Sequence, residues 1–134
     1  MANSLKSEVL KIDAYIPLKP GAFSLSHHAG NIRSYCLVFD ELLPEESFAY
    51  WLELMNTMRA ENILRIKGII EFKEKPDTPV IIHGVQQVVH PFVPMPEWPS
   101  EDTRSRLVVI GENLNGSEIT VTFERYVGVR ASLL

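Results

Sequence analysis

Residues 63–72, ILRIKGIIEF, and residues 79–90, PVIIHGVQQVVH, decide how this chain is built. Each stretch is nearly all apolar, has a glycine near its middle (Gly68, Gly84) and admits few polar side chains, chiefly Arg65, Lys67, Glu71 and His83. Leu64, Ile66, Gly68, Ile70 and Phe72 fall on one face and Ile63, Arg65, Lys67, Ile69 and Glu71 on the other, the period of two that defines a strand. The intervening KEKPDT (73–78), with Pro76 and Asp77, predicts a turn, so the two stretches form an antiparallel hairpin. Placing Phe72 opposite Val80 pairs Ile70 with Ile82, Gly68 with Gly84 and Leu64 with Val88, which keeps one face apolar almost throughout. The glycines then face each other and leave a trough for a bulky side chain from a covering helix, for which Trp51 is the candidate. The opposite face carries Ile63, Ile69, Ile81, Val85 and Val89 beside Arg65, Lys67, Glu71, His83 and Gln87. It is too apolar to stand free in water, so a cover is expected over part of it.

Working outward, IRSYCLVF (32–39) alternates Tyr35, Leu37 and Phe39 against Ile32, Ser34, Cys36 and Val38 and predicts a first strand. LLPEESFAYWLELMNTMRAE (42–61) predicts an amphipathic helix: Pro44 stands at its start, Glu45 and Glu46 favour its positive end, and Phe48, Trp51, Leu52 and Met55 share one stripe. HPFVPMPEWPSEDTRSR (90–106) holds four prolines and reads as a long ordered loop around Trp98. RLVVIG (106–111) is a fourth short strand. In the tail, Ile119, Val121 and Phe123 alternate like a strand, while Ile119, Phe123 and Tyr126 recur at helical spacing. Asn115 with Glu118 resembles a capping box and favours helix. Residues 1–29 show neither period and read as an arm or interdomain linker, leaving 30–134 as the domain.

The chain has 134 residues, 46% hydrophobic and 22% charged, the balance of one globular domain. Its formal charge of -4 argues against a nucleic-acid partner. A single cysteine, Cys36, and the lack of any membrane-length apolar run predict a cytoplasmic protein with no membrane partner. No phosphate-binding glycine motif is present. His27 and His28 are the candidate metal ligands, with His83 or His90 as further members; solvated histidines are the plainer reading of the adjacent pair. Cys36 reads as a small core residue rather than a nucleophile. Arg65 and Lys67 are candidates, with His83, for an anion or partner contact; pairing with Glu71 across the sheet is the alternative. EWPSED (97–102) has oxygen ligands but no calcium-loop spacing.

Read together, Phe48, Trp51 and Leu52, then Leu64, Arg65, Lys67 and Gly68, then Gly84, Val85 and Gln86, Trp98, and finally Arg104, Ser105, Leu107, Val108, Ile110 and Gly111 follow a familiar order. They resemble the C-terminal domain of the CobW family of GTP-dependent metal chaperones, over residues 27–126. That resemblance implies helix for the tail. It also implies that GTP, Mg and a transition metal, zinc or cobalt, belong to a P-loop GTPase domain absent from this chain, which would dock here in cis or in trans. No catalysis is expected from this chain alone. The fold expected is α+β: a mainly antiparallel sheet of about four strands with two helices on one face, in the order βαβββα. The uncovered sheet face is the expected docking surface for the GTPase domain or a client metalloprotein, or for a second copy in an oligomer.

Overall fold

A computed structural model describes residues 31–58, 62–85 and 88–134. The arm expected over 1–29, with His27 and His28, lies outside the described residues, as do Gln86 and Gln87. The elements run β1 (Ile32–Phe39), α1 (Glu45–Met58), β2 (Ile63–Glu71), β3 (Pro79–Val85), β4 (Val88–Val89), β5 (Val93–Pro94), β6 (Ser105–Glu112), α2 (Gly116–Val127) and β7 (Ser132–Leu133). The architecture is α+β with two helices and an antiparallel sheet, as expected, but the sheet has seven strands rather than about four. The four long strands are the expected ones, and the other three are two-residue strands that no periodicity could reveal. Strand order is β4-β3-β2-β6-β1-β7, with β5 also on β3. RLVVIG, read as a fourth short strand, is thus the core of β6 at the sheet centre, between β2 and β1.

One hydrophobic core lies between the helices and the sheet, with Leu37, Phe39, Ile66, Ile70, Leu107 and Val109 facing Phe48, Trp51, Leu52 and Phe123. Phe123 stacks on Phe39 at 4.5 Å between ring centroids and meets Trp51 edge-on at 5.0 Å. Phe48, Trp51 and Phe123 are fully buried, each worth about 1.5–3 kcal/mol of transfer free energy. Glu74 accepts the Glu45 N–H at 3.0 Å, so the hairpin turn caps α1. Asn115 accepts the Glu118 N–H at 3.2 Å and caps α2, the end that the capping-box pattern predicts. Helix α2 stops at Gly128, whose φ of 80° is left-handed. The buried stripe of α2 continues to Val127 rather than Tyr126, which is exposed.

The hairpin register differs from the expected one. Ile70 pairs with Val80, Gly68 with Ile82 and Ile66 with Gly84, a slip of two residues from the Phe72–Val80 alignment. The Phe72 carbonyl bonds within the turn, accepting the Lys75 N–H at 3.2 Å, while Leu43 bridges the opposite edge of β2, its N–H donating to the Glu71 carbonyl at 3.1 Å and its carbonyl accepting from Lys73 at 2.8 Å. Pairing therefore starts at Glu71–Pro79. The glycines do not face each other, and no trough for Trp51 results; a Cβ at Gly68 would instead meet the Arg106 carbonyl oxygen and Leu107 Cδ1, both at 2.6 Å.

A second correction concerns the faces. The β2–β6 register shifts between Ile63 and Arg65, a bulge that takes up Leu64 and turns Ile63 into the main core. Residues 80–89 form two strands rather than one, and Val89 packs against the main core rather than the opposite face. The proline-rich segment also holds a regular element. Val93 pairs with Ile81 and Pro94 with Val80 on the outer edge of β3, where a residue without an N–H is tolerated. The buried anchor of this segment is Met95, not Trp98, which is half-buried.

Candidate functional site

The sheet face turned away from the helices has its own small core of Ile81, Met95 and Val108, with Cys36, Val93 and Ile110 packed at its edge. The expected cover is therefore supplied in part by the chain itself. Arg106, only 1% exposed, holds it down: its Nη1 donates to the carbonyls of Asp102 and Arg104 at 3.2 and 3.1 Å. Asp102 in turn binds Arg104 in a two-pronged pair, Nη2 to Oδ2 at 2.8 Å and Nε to Oδ1 at 3.1 Å. The Arg104 hydrogen bond, above all, lowers the Asp102 carboxyl to about 2, and the same bond raises Arg104. The EWPSED stretch thus contributes a loop clasp through Asp102. Sequence patterning missed this role of Arg106, because a lone arginine among valines reads as a solvated side chain until a loop is laid over it.

Beyond this cover the face stays half-exposed, and β2 and β3 place the candidate residues there. Lys67 pairs directly with His83, and Arg65 with Val85 in the next row; all four are half-buried. On the other side of β2, Arg65 pairs with Ile110 and Lys67 with Val108. Three candidates picked from spacing alone are thus adjacent, two cations and an imidazole in an otherwise aliphatic surface. Glu71, the alternative partner, points its carboxylate to the turn, where it accepts the Asp77 N–H at 2.8 Å.

The fold adds a fourth member. The His90 N–H donates to the His83 carbonyl at 2.9 Å, and the two imidazoles stack at 4.9 Å with planes 17° apart. A signal for this was present: His83 and His90 are equally spaced from the middle of the 83–90 stretch, so the antiparallel pairing of Gly84 with Val89 and Val85 with Val88 brings them together. Among the described residues no group of three or more His, Cys, Asp or Glu could hold a metal ion. Cys36, at the margin of this face, is no ready thiolate, since burial pushes its thiol up to about 11 against the pull of Arg106 and Arg104. The chain's own sequence does not fit a GTP–Mg site, for it has no phosphate-binding loop. No helix among the described residues is long and apolar enough to cross a membrane.

The described residues form a two-layer α+β domain with a partly covered, cation-bearing sheet face. The sequence pattern of the cobalamin synthesis protein CobW C-terminal domain matches residues 32–127, and the chain belongs to that family. Among solved structures it is similar to the Zn(II)-bound YjiA GTPase from E. coli (22% identity, TM-score 0.66), covering 82% of this chain and 34% of that one. It is also similar to a Zn(II)-bound triple mutant of YjiA GTPase (23% identity, TM-score 0.64), covering 72% of this chain and 30% of that one. The chain thus spans about a third of the length of those GTPases. No curated protein sequence matches it.

Proposed function

We propose that this chain is the accessory domain of a CobW-like, GTP-dependent chaperone for zinc or cobalt, working in the cytoplasm and docking a P-loop GTPase domain through its outer sheet face. The carrying observation is the half-exposed row of Arg65, Lys67 and His83 beside Val85 and Ile110, on a face that the described residues cover only at its other end. Aliphatic area supplies affinity there, and the cations select a carboxylate-bearing partner and set its orientation. GTP and Mg would be bound by that partner, and a client metalloprotein would be engaged once the two domains are joined. The test is titration of this chain with a purified CobW-family GTPase domain. Tight binding lost in Arg65→Glu and Lys67→Glu supports the proposal. GTP hydrolysis by this chain alone, at the rate of intact relatives, refutes it, as does a strictly self-associating sheet face that a GTPase domain cannot compete away.

The stacked His83–His90 pair favours a second reading, a metal-binding module in which these imidazoles join His27 and His28 around a zinc-like ion. Zinc titrations of the His83→Ala, His90→Ala and His27→Ala/His28→Ala variants decide it, and unchanged affinity in all three removes it.

A further inference from the structure

The helical side of the domain has a chemistry of its own. Helices α1 and α2 together carry five glutamates and one arginine, so this one layer holds an excess of negative charge equal to the formal -4 of the entire chain. Between the helices runs a groove of about 100 Å³ lined by Leu54, Met55, Ile119, Thr122 and Tyr126, with Glu118 at its rim. Tyr50 and Tyr126 stand at one end, 57% and 43% exposed, their rings 6.1 Å apart across the helix pair. On α1, Glu46, Tyr50 and Leu54 follow one another at four-residue steps, and on α2 so do Glu118, Thr122 and Tyr126. Each ridge thus presents a carboxylate and an aromatic ring along one line.

The main core does not include these two rings, which are left about half in water although tyrosine is a residue type favoured at the centres of interfaces. A second copy is a poor occupant: a two-fold contact sets the same glutamate-rich surface against itself, and like charges brought together disfavour it. The complementary occupant is positively charged. We infer that the α1–α2 groove docks an amphipathic helical segment of a partner protein, with an apolar stripe flanked by Lys or Arg. The stripe lies between Leu54 and Ile119, as in other helix-in-groove complexes. The cations reach the carboxylates of Glu46 and Glu118 and the faces of Tyr50 and Tyr126. This surface is separate from the sheet face, so the inference holds whichever protein covers the sheet, and the domain can hold two partners at once.

The test uses the full 134-residue chain and two synthetic peptides of about 18 residues, or five helical turns, with one leucine stripe, flanked by lysines in the first and glutamates in the second. The lysine peptide is expected to bind, with amide shifts centred on Tyr50, Leu54, Glu118 and Tyr126. Affinity is expected to fall by about thirtyfold in Tyr126→Ala and about tenfold in Glu46→Lys/Glu118→Lys. An unchanged thermal transition in each variant separates loss of the groove from loss of the fold. The inference is overturned by equal binding of the glutamate peptide, by binding of neither, or by shifts that map to β2 and β3. A CobW-family GTPase domain added in trans that shifts these same amides would assign the groove to that domain and likewise overturn it.

Discussion

Replacing Gly68 and Gly84 by alanine, one at a time, separates two glycines that look equivalent in sequence. A Cβ at Gly68 stands 2.6 Å from the Arg106 carbonyl oxygen and from Leu107 Cδ1, and 3.1 Å from Leu107 Cα. Two of these three contacts are backbone of β6 at the sheet centre, so no rotamer change relieves them. Overpacking of this kind costs about 1–3 kcal/mol, and the upper end applies where backbone must move. Removing a glycine from a strand returns about 0.5–1 kcal/mol, which leaves a net loss near 2 kcal/mol for Gly68→Ala. At Gly84 the nearest atoms are Val88 O at 3.4 Å and Val89 Cα at 3.8 Å, ordinary contacts, so the gain survives and Gly84→Ala is neutral or slightly stabilising. For a domain of this size each kcal/mol moves the transition by about 4–8 °C. The pair should therefore differ by roughly 10–20 °C, with Gly68→Ala the lower. Urea titration followed by far-UV circular dichroism, with a shared m-value, measures both. Equal losses would refute the reasoning, because they are what facing glycines with one shared trough require.

Three further outcomes are expected. Asn115→Ala removes the acceptor of the Glu118 N–H and should destabilise the chain by about 1 kcal/mol, with faster amide exchange confined to the first turn of α2. The Cys36 thiol, raised from 9.0 to about 11, should react with a disulfide reagent about a hundredfold more slowly at pH 8 than an ordinary thiol, with a rate that climbs until pH about 11; a plateau near pH 9 would contradict its burial. Asp102 is lowered from 3.8 to about 2, so the stability it contributes is fully present above pH about 4 and is lost as the pH falls through 2. Asp102→Asn should show less acid sensitivity in that window, and an unchanged acid titration would exclude the clasp.

Much of the candidate site was legible. Arg65, Lys67 and His83 were placed on one face by a period of two, and the fold brings them side by side because β2 and β3 do pair. His90 was not, since its position depends on a hairpin of only two paired rows. Arg106 escaped notice because its burial comes from residues 102–104 folding over it, a contact between a loop and a strand with no period to announce it.

By itself the sequence determined the local elements: the span Ile32–Phe39, the apolar stripe of α1, the capped start of α2 and the strand character of β2, β3 and β6. Each is encoded by residues within a few positions of one another, where backbone geometry sets the repeat. Only the tertiary structure decided the register, the bulge and the edges. A two-residue slip of the hairpin leaves every side chain on the face it already had, so the pattern is degenerate and the choice fell to backbone bonds that appear only in the folded chain, the Phe72 carbonyl bonding to Lys75 N–H rather than across to β3. For the same reason the strands of two residues, the cover of Met95 over Ile81 and Val108, and the groove between the helices exist only once distant segments have met.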